Sequence, residues 1–392
     1  MTTLMTPPNP TPPIPPAREE HALARWGLLR DLREPRQILG TVGPNWYASI
    51  MGTGIVANAA ATLPLRFPGL RDAATVVWTL AAVLLVGLTA VWLLQWIRRP
   101  GTPSRHAADP VVAQFYGAPP MALLTVGAGA LLLGHSILGT GPALVVDWTL
   151  WIAGTIGGLA SSVIVPYLMF TRHRLSADSV FGGWLMPIVP PMVSAATGAL
   201  LVPYAPAGQL RLSLLLGCYA LFGLSLICSL VVITLLWWKL TQHKTGTANM
   251  VPTLWIVLGP LGQSITAANL LGGVAHLALP APYATGMEVF GLVYGLPVWG
   301  FALLWVALAG ALTVHTARKR LPFSLTWWSF TFPVGTLVTG TSGLAARSHA
   351  DVFVWAACLC YLGLVLAWAV VAVRTGRDSV RGRLFVPLAR SV

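Results

Sequence analysis

Five short stretches carry the reading of the fold: GPNWYASIMGTG from Gly43, YGAPPMALLTVGAG from Tyr116, MPIVPPMVSAATG from Met186, IVLGPLGQSITAA from Ile256 and FTFPVGTLVTG from Phe330. Anchored on Ser49, Pro120, Pro191, Pro260 and Pro333, they recur at intervals of 71, 71, 69 and 73 residues. Gly127, Gly198, Ala267 and Gly340 each stand seven positions after an anchor, where the first block has the larger Val56. Each block lies in an apolar stretch and is followed by a second apolar stretch without one. An internal period of this kind marks a repeated supersecondary unit. Here the unit is a helical hairpin, repeated five times.

Working outward, the chain of 392 residues is 56% hydrophobic and only 9% charged. Soluble domains carry about a quarter charged residues, so no part of this chain reads as one. Ten apolar stretches are long enough to cross a bilayer: roughly 42–62, 73–97, 111–134, 143–170, 181–203, 209–238, 252–279, 285–314, 323–345 and 349–373. The expected fold is all-α and integral to the membrane, with ten transmembrane helices paired as five hairpins.

Charge sets the expected orientation. Of the 24 Lys and Arg, all but Arg66, Arg71, Arg211 and Arg347 fall in the two tails and the even-numbered loops. Positive residues stay on the cytoplasmic side, so both termini are expected there. The net charge of +13 reflects this topology and gives no reason to expect nucleic acid as a partner. Residues 1–40 divide into a Pro-rich tail, expected disordered, and a basic amphipathic segment from His21 to Ile38 suited to the membrane surface. Residues 41–375 form the transmembrane domain, and 376–392 a basic cytoplasmic tail.

The odd-numbered helices are expected to line a conduit. A proline inside a transmembrane helix frees a carbonyl, which is tolerated where the backbone faces protein or a watery path. Expected helix breaks are therefore Gly52, Pro120, Pro191, Pro260 and Pro333. The odd stretches also hold most intramembrane hydroxyls and amides, among them Thr125, Thr197, Thr266, Asn269, Thr339 and Thr341. Ser49, Thr53, Ser194, Gln263, Ser264 and Thr336 lie at the anchor or three to four residues after it, and are expected to border one path. Helix packing on small residues is the competing reading.

Chemistry other than passage finds little support. The eight His lie in tails, loops or near helix ends, and the four Cys lie inside apolar stretches without metal-ligand spacing. There is no Walker motif. No enzyme, cofactor or metal is expected. With no carboxylate or Lys/Arg in the middle of an odd stretch, a small anion held by N–H groups, hydroxyls and helix ends is favoured over a cation.

NWYASIMGTGIVAN from Asn45, DPVVAQFYGAPPMALLT from Asp109, GWLMPIVPPMVSAATG from Gly183, GPLGQ from Gly259 and WWSFTFPVGTLVTGT from Trp327 together resemble the tellurite-resistance/dicarboxylate transporter family over residues 40–375. This family includes fungal sulfite efflux pumps, malic acid transport proteins and guard-cell slow anion channels. The resemblance implies a quasi-fivefold axis with odd helices inside, and a homotrimer in the cell inner membrane. It also implies an aromatic gate in the ninth helix, matched here by Phe332 beside Pro333, with Phe330 nearby but facing elsewhere. The implied cargo is a small inorganic or organic anion, sulfite-like first and C4-dicarboxylate second, with membrane lipid as the surroundings. A structural or sensory membrane protein is the alternative of another class.

Overall fold

The computed structural model describes residues 41–385. The tail and amphipathic segment expected over residues 1–40, and the last residues of the basic tail, lie outside the described residues. Those described form helices and no strands. The principal helices are α1 (Tyr47–Thr62), α2 (Leu70–Arg98), α3 (Ala118–Gly129), α4 (Thr140–Thr171), α5 (Pro190–Leu201), α6 (Gln209–His243), α7 (Leu258–Val274), α8 (Tyr283–Lys319), α9 (Phe332–Ser348) and α10 (Asp351–Arg381).

Seven helical stretches among the described residues are long and apolar enough to cross a membrane: α2, α4, α6, α8, α10, and the runs around α3 (Ala113–Leu138) and α7 (Ala248–Leu277). α1, α5 and α9 have only 16, 12 and 17 residues. α3, α5, α7 and α9 are each entered through a separate 3-10 run: Ala113–Gly117, Gly182–Leu185, Ala248–Val257 and Leu325–Phe330. The structure thus differs from the expected breaks. Pro120, Pro191, Pro260 and Pro333 all sit in the first turn of their helices. A first-turn proline loses no helical hydrogen bond, and its fixed φ suits the start of a helix. α1 runs unbroken through Gly52. That glycine is there for close approach, because a Cβ would stand 2.2 Å from Thr331 Oγ1 and 2.6 Å from the Trp328 ring.

Two classes of helix result. In the apolar window of the run around α7, 89% of residues are buried inside the protein, against 17% in α2 and in α10. The short helices are rich in Ala, Gly, Ser and Thr and can approach one another closely. At Gly262 an added Cβ would stand 2.5 Å from the α9 backbone. The long helices put Leu, Val, Ile and Trp outward.

Contacts among the short helices close on themselves: α1 packs on α3, α3 on α5, α5 on α7, α7 on α9, and α9 on α1. Each short helix also packs on the long helix that follows it. Indole N–H groups tie long helices to the short helix of the next repeat. Trp78 of α2 donates to Val126 O of α3 (3.0 Å), and Trp151 of α4 to Ser194 O of α5 (2.9 Å). Trp299 of α8 donates to Thr341 Oγ1 of α9 (3.0 Å), and Trp368 of α10 to Thr53 Oγ1 of α1 (3.1 Å). An indole N–H in an apolar setting needs such a partner, so these tryptophans fix the order of the helices around the ring.

Candidate functional site

Two cavities lie on the inside of the ring. The first, about 280 Å³, is bordered by all five short helices, mostly from their middles toward their C-terminal ends. Its lining repeats at helical spacing: Ile55, Asn58 and Thr62; Thr125, Ala128 and Leu132; Ala196, Thr197 and Leu200; Gln263, Thr266 and Leu270; Thr339, Ser342 and Ala346. The second, about 30 Å³, has room for about one water. It is bordered by the beginnings of the same helices and the residues just before them, including Met51, Phe115, Met121, Met186, Ile256 and Trp328. The five helices therefore run parallel, their N-terminal ends around the small cavity. Phe332, 4% exposed, borders both cavities. It is placed there by the turn from the 3-10 run into α9, with Pro333 immediately after it.

The larger cavity is apolar with a band of polar groups. Thr266 and Thr339 hydroxyls lie 2.7 Å apart. Thr125 donates to Met121 O (2.7 Å) and Thr197 to Val193 O (2.9 Å). Asn58 Nδ2 donates to Thr125 O (3.0 Å). Asn58 Oδ1 and Gln263 Oε1 are buried without a partner. Turning the Gln263 amide over would exchange its C=O for an NH2 donor. No charged or titratable side chain borders either cavity among the described residues.

Of the expected path residues only Gln263 borders a cavity, as does Phe332, the expected gate. The others are turned between helices. Ser49 Oγ donates to Trp46 O (2.7 Å), and Thr53 accepts from Trp368. Ser194 accepts from Thr155 Oγ1 of α4 (3.0 Å), and Ser264 from the Tyr294 hydroxyl of α8 (2.8 Å). Thr336 donates to Pro333 O (2.7 Å), with Leu258 O at 3.1 Å. Phe330 stacks edge-on against Trp255 and Trp327 and borders neither cavity. Most of the polar lining falls five or six residues after the prolines, at Thr125, Thr197, Thr266 and Thr339, rather than three or four. Asn58 had no such signal. A shared offset from the proline could have found the threonines, since equal offsets in parallel helices fall on the same face.

Comparison with known proteins places this ring. The family model for the voltage-dependent anion channel matches residues 41–376. The chain belongs to the voltage-dependent anion channel family. An uncharacterised transporter of Methanocaldococcus jannaschii is 28% identical over 91% of this chain and 99% of its own. A sulfite efflux pump of Arthroderma otae is 27% identical over 87% of this chain and 92% of its own. A malic acid transport protein of Schizosaccharomyces pombe is 24% identical over 80% and 73%. The protein is thus a multi-pass membrane protein of a family of anion channels and transporters.

In an anion channel, a cavity without fixed charge has a clear physical meaning. A buried cation would bind an anion tightly and slow its release, whereas passage requires binding weak enough to leave. Helix N-terminal ends, each equivalent to about half a positive charge, can attract an anion without a fixed cation. Five such ends meet around the small cavity.

Proposed function

We propose that the chain crosses the cell inner membrane ten times, as five hairpins around a quasi-fivefold path, with both termini cytoplasmic. Residues 41–375 make up this unit, and three copies assemble as a homotrimer. The path runs through the two cavities and passes small anions, with Phe332 as the gate between them. The observation that carries this reading is that one apolar ring is shared by a roomy cavity and a nearly closed one, on the axis of five parallel helices. An anion passing a ring that cannot hydrogen-bond must shed water at a high cost.

A sulfite-like oxyanion, exported from the cell, is the first substrate proposed, following the sulfite efflux relatives. A C4-dicarboxylate is the second, following the malic acid transport relatives. The cavity offers no Arg for a bidentate grip on a carboxylate, which supports the order. The test is flux of sulfite, malate and chloride from proteoliposomes. Sulfite should move fastest of the three, and faster still in Phe332→Ala. Absence of flux for every anion in both proteins would leave a structural or sensory role.

A further inference from the structure

Outside the ring, α6 and α8 leave a cleft of about 200 Å³ at the end nearest the N-termini of the short helices. Its walls are Trp237 and Leu240 of α6 and Trp305, Leu308 and Leu312 of α8. Its floor is Leu254 of the 3-10 run before α7, whose carbonyl accepts the Trp305 indole N–H (2.8 Å). The depth of the cleft is apolar, and its mouth is cationic. Lys244 is exposed and donates to the carbonyl of Thr241, a residue lining the cleft (3.3 Å). On α8, exposed His315 and Lys319 follow Leu308 and Leu312 at helical spacing, on the same face.

We infer that this cleft binds an anionic phospholipid, one acyl chain against Leu254, Trp305 and Leu308, and the phosphate between Lys244 and Lys319. A cleft with an apolar depth and two lysines at its mouth complements that ligand at both ends. A neutral lipid satisfies the depth alone. The consequence reaches the path. Leu254 lies two residues before Ile256, which borders the small cavity with Phe332, and Trp255 between them packs edge-on against Phe330 at 5.7 Å. A chain seated on Leu254 braces the segment that walls the narrow part of the path. The inference takes only the membrane orientation from the proposed function.

The full chain is reconstituted in vesicles of phosphatidylcholine and phosphatidylglycerol, re-extracted, and its retained lipid measured by native mass spectrometry. The wild-type protein should retain phosphatidylglycerol in preference. Lys244→Ala and Lys319→Ala should each lower that preference roughly fivefold, as exposed substitutions that leave the fold intact. Leu308→Trp should lower retention of both lipids by filling the cleft. Equal retention of the two lipids by the wild type, or an unchanged preference in the double lysine variant, would overturn the inference. So would efficient cross-linking of Leu308→Cys between copies, which would make a second copy the occupant. If the wild type passes no anion in any vesicle, the proposed function fails while the lipid result still decides this one.

Discussion

Phe332 and Phe330 are two residues apart and have the same chemistry, yet they have different surroundings. Phe332 has a cavity on either side, whereas Phe330 is held by Trp255 and Trp327. Phe332→Ala should raise passive anion flux by about tenfold or more, equivalent to lowering the barrier by ~1.4 kcal/mol. Phe330→Ala should change it less. Liposome efflux measures both, and the opposite ranking would move the gate to Phe330. A second contrast separates Gln263 from Ser264. Gln263→Leu removes a polar group from the cavity wall and should slow flux by roughly tenfold, since a lost polar contact in a dry site costs about 1–3 kcal/mol. Ser264→Ala loses the bond from Tyr294 and the one it donates to Leu261 O, neither at a cavity wall, and should leave flux within about twofold of wild type. Equal slowing in the two variants would remove Gln263 from the path. Cysteines tell the same story by another measurement. At Thr197, Gln263 and Thr339 they should react with small water-soluble thiol reagents in a background lacking the native cysteines. At Ser49, Ser194 and Thr336 they should be protected.

At the scale of elements, the short helices depend on close approach and on borrowed hydrogen bonds. Gly340 faces α7, where an added Cβ would lie 2.7 Å from Gly262 O and 3.0 Å from Ile265 Cβ. Gly340→Leu should therefore force α7 and α9 apart, costing about 1–3 kcal/mol or more. A lower melting temperature in detergent, or loss of a monodisperse peak, is the expected outcome. Trp368→Phe should be milder, losing the bond to Thr53 and part of the ring's packing, at about 1 kcal/mol or somewhat more. The long helices need no such care, because lipid accepts the apolar side chains they expose.

At the scale of the molecule, the cavities contain no group that titrates near neutrality. Chloride flux should accordingly stay flat from about pH 6 to about pH 8, the range in which an ordinary histidine changes charge. A steep pH profile for chloride would place a titrating group on the path. Orientation is tested separately. A reporter fused after Val392 should report the cytoplasm, and one inserted at Gly139 the outside.

The period of about 70 residues, the membrane compartment and the buried character of the short helices were all legible in the sequence. They rest on composition and spacing, which any packing must respect. WWSFTFP already pointed to Phe332 through its family resemblance. What the sequence could not choose was the face that each short helix turns inward. A Ser or Thr in a helix satisfies itself on a carbonyl four residues back, as Thr125 does on Met121 O, or on a neighbour, as Ser194 does on Thr155. Such a residue suits either face. The choice was made only when the ring closed and tryptophans of the long helices took Thr53, Thr341 and the Ser194 carbonyl as partners. Prolines likewise read as breaks within long helices, but tertiary packing lets each chain enter as a 3-10 run and begin its α-helix at the proline. Composition and a block recurring five times marked a membrane protein with polar, small-residue segments, but not that those segments fold as short helices. Which side chains meet on the axis follows from packing, because it depends on how five helices rotate against one another and not on any one of them.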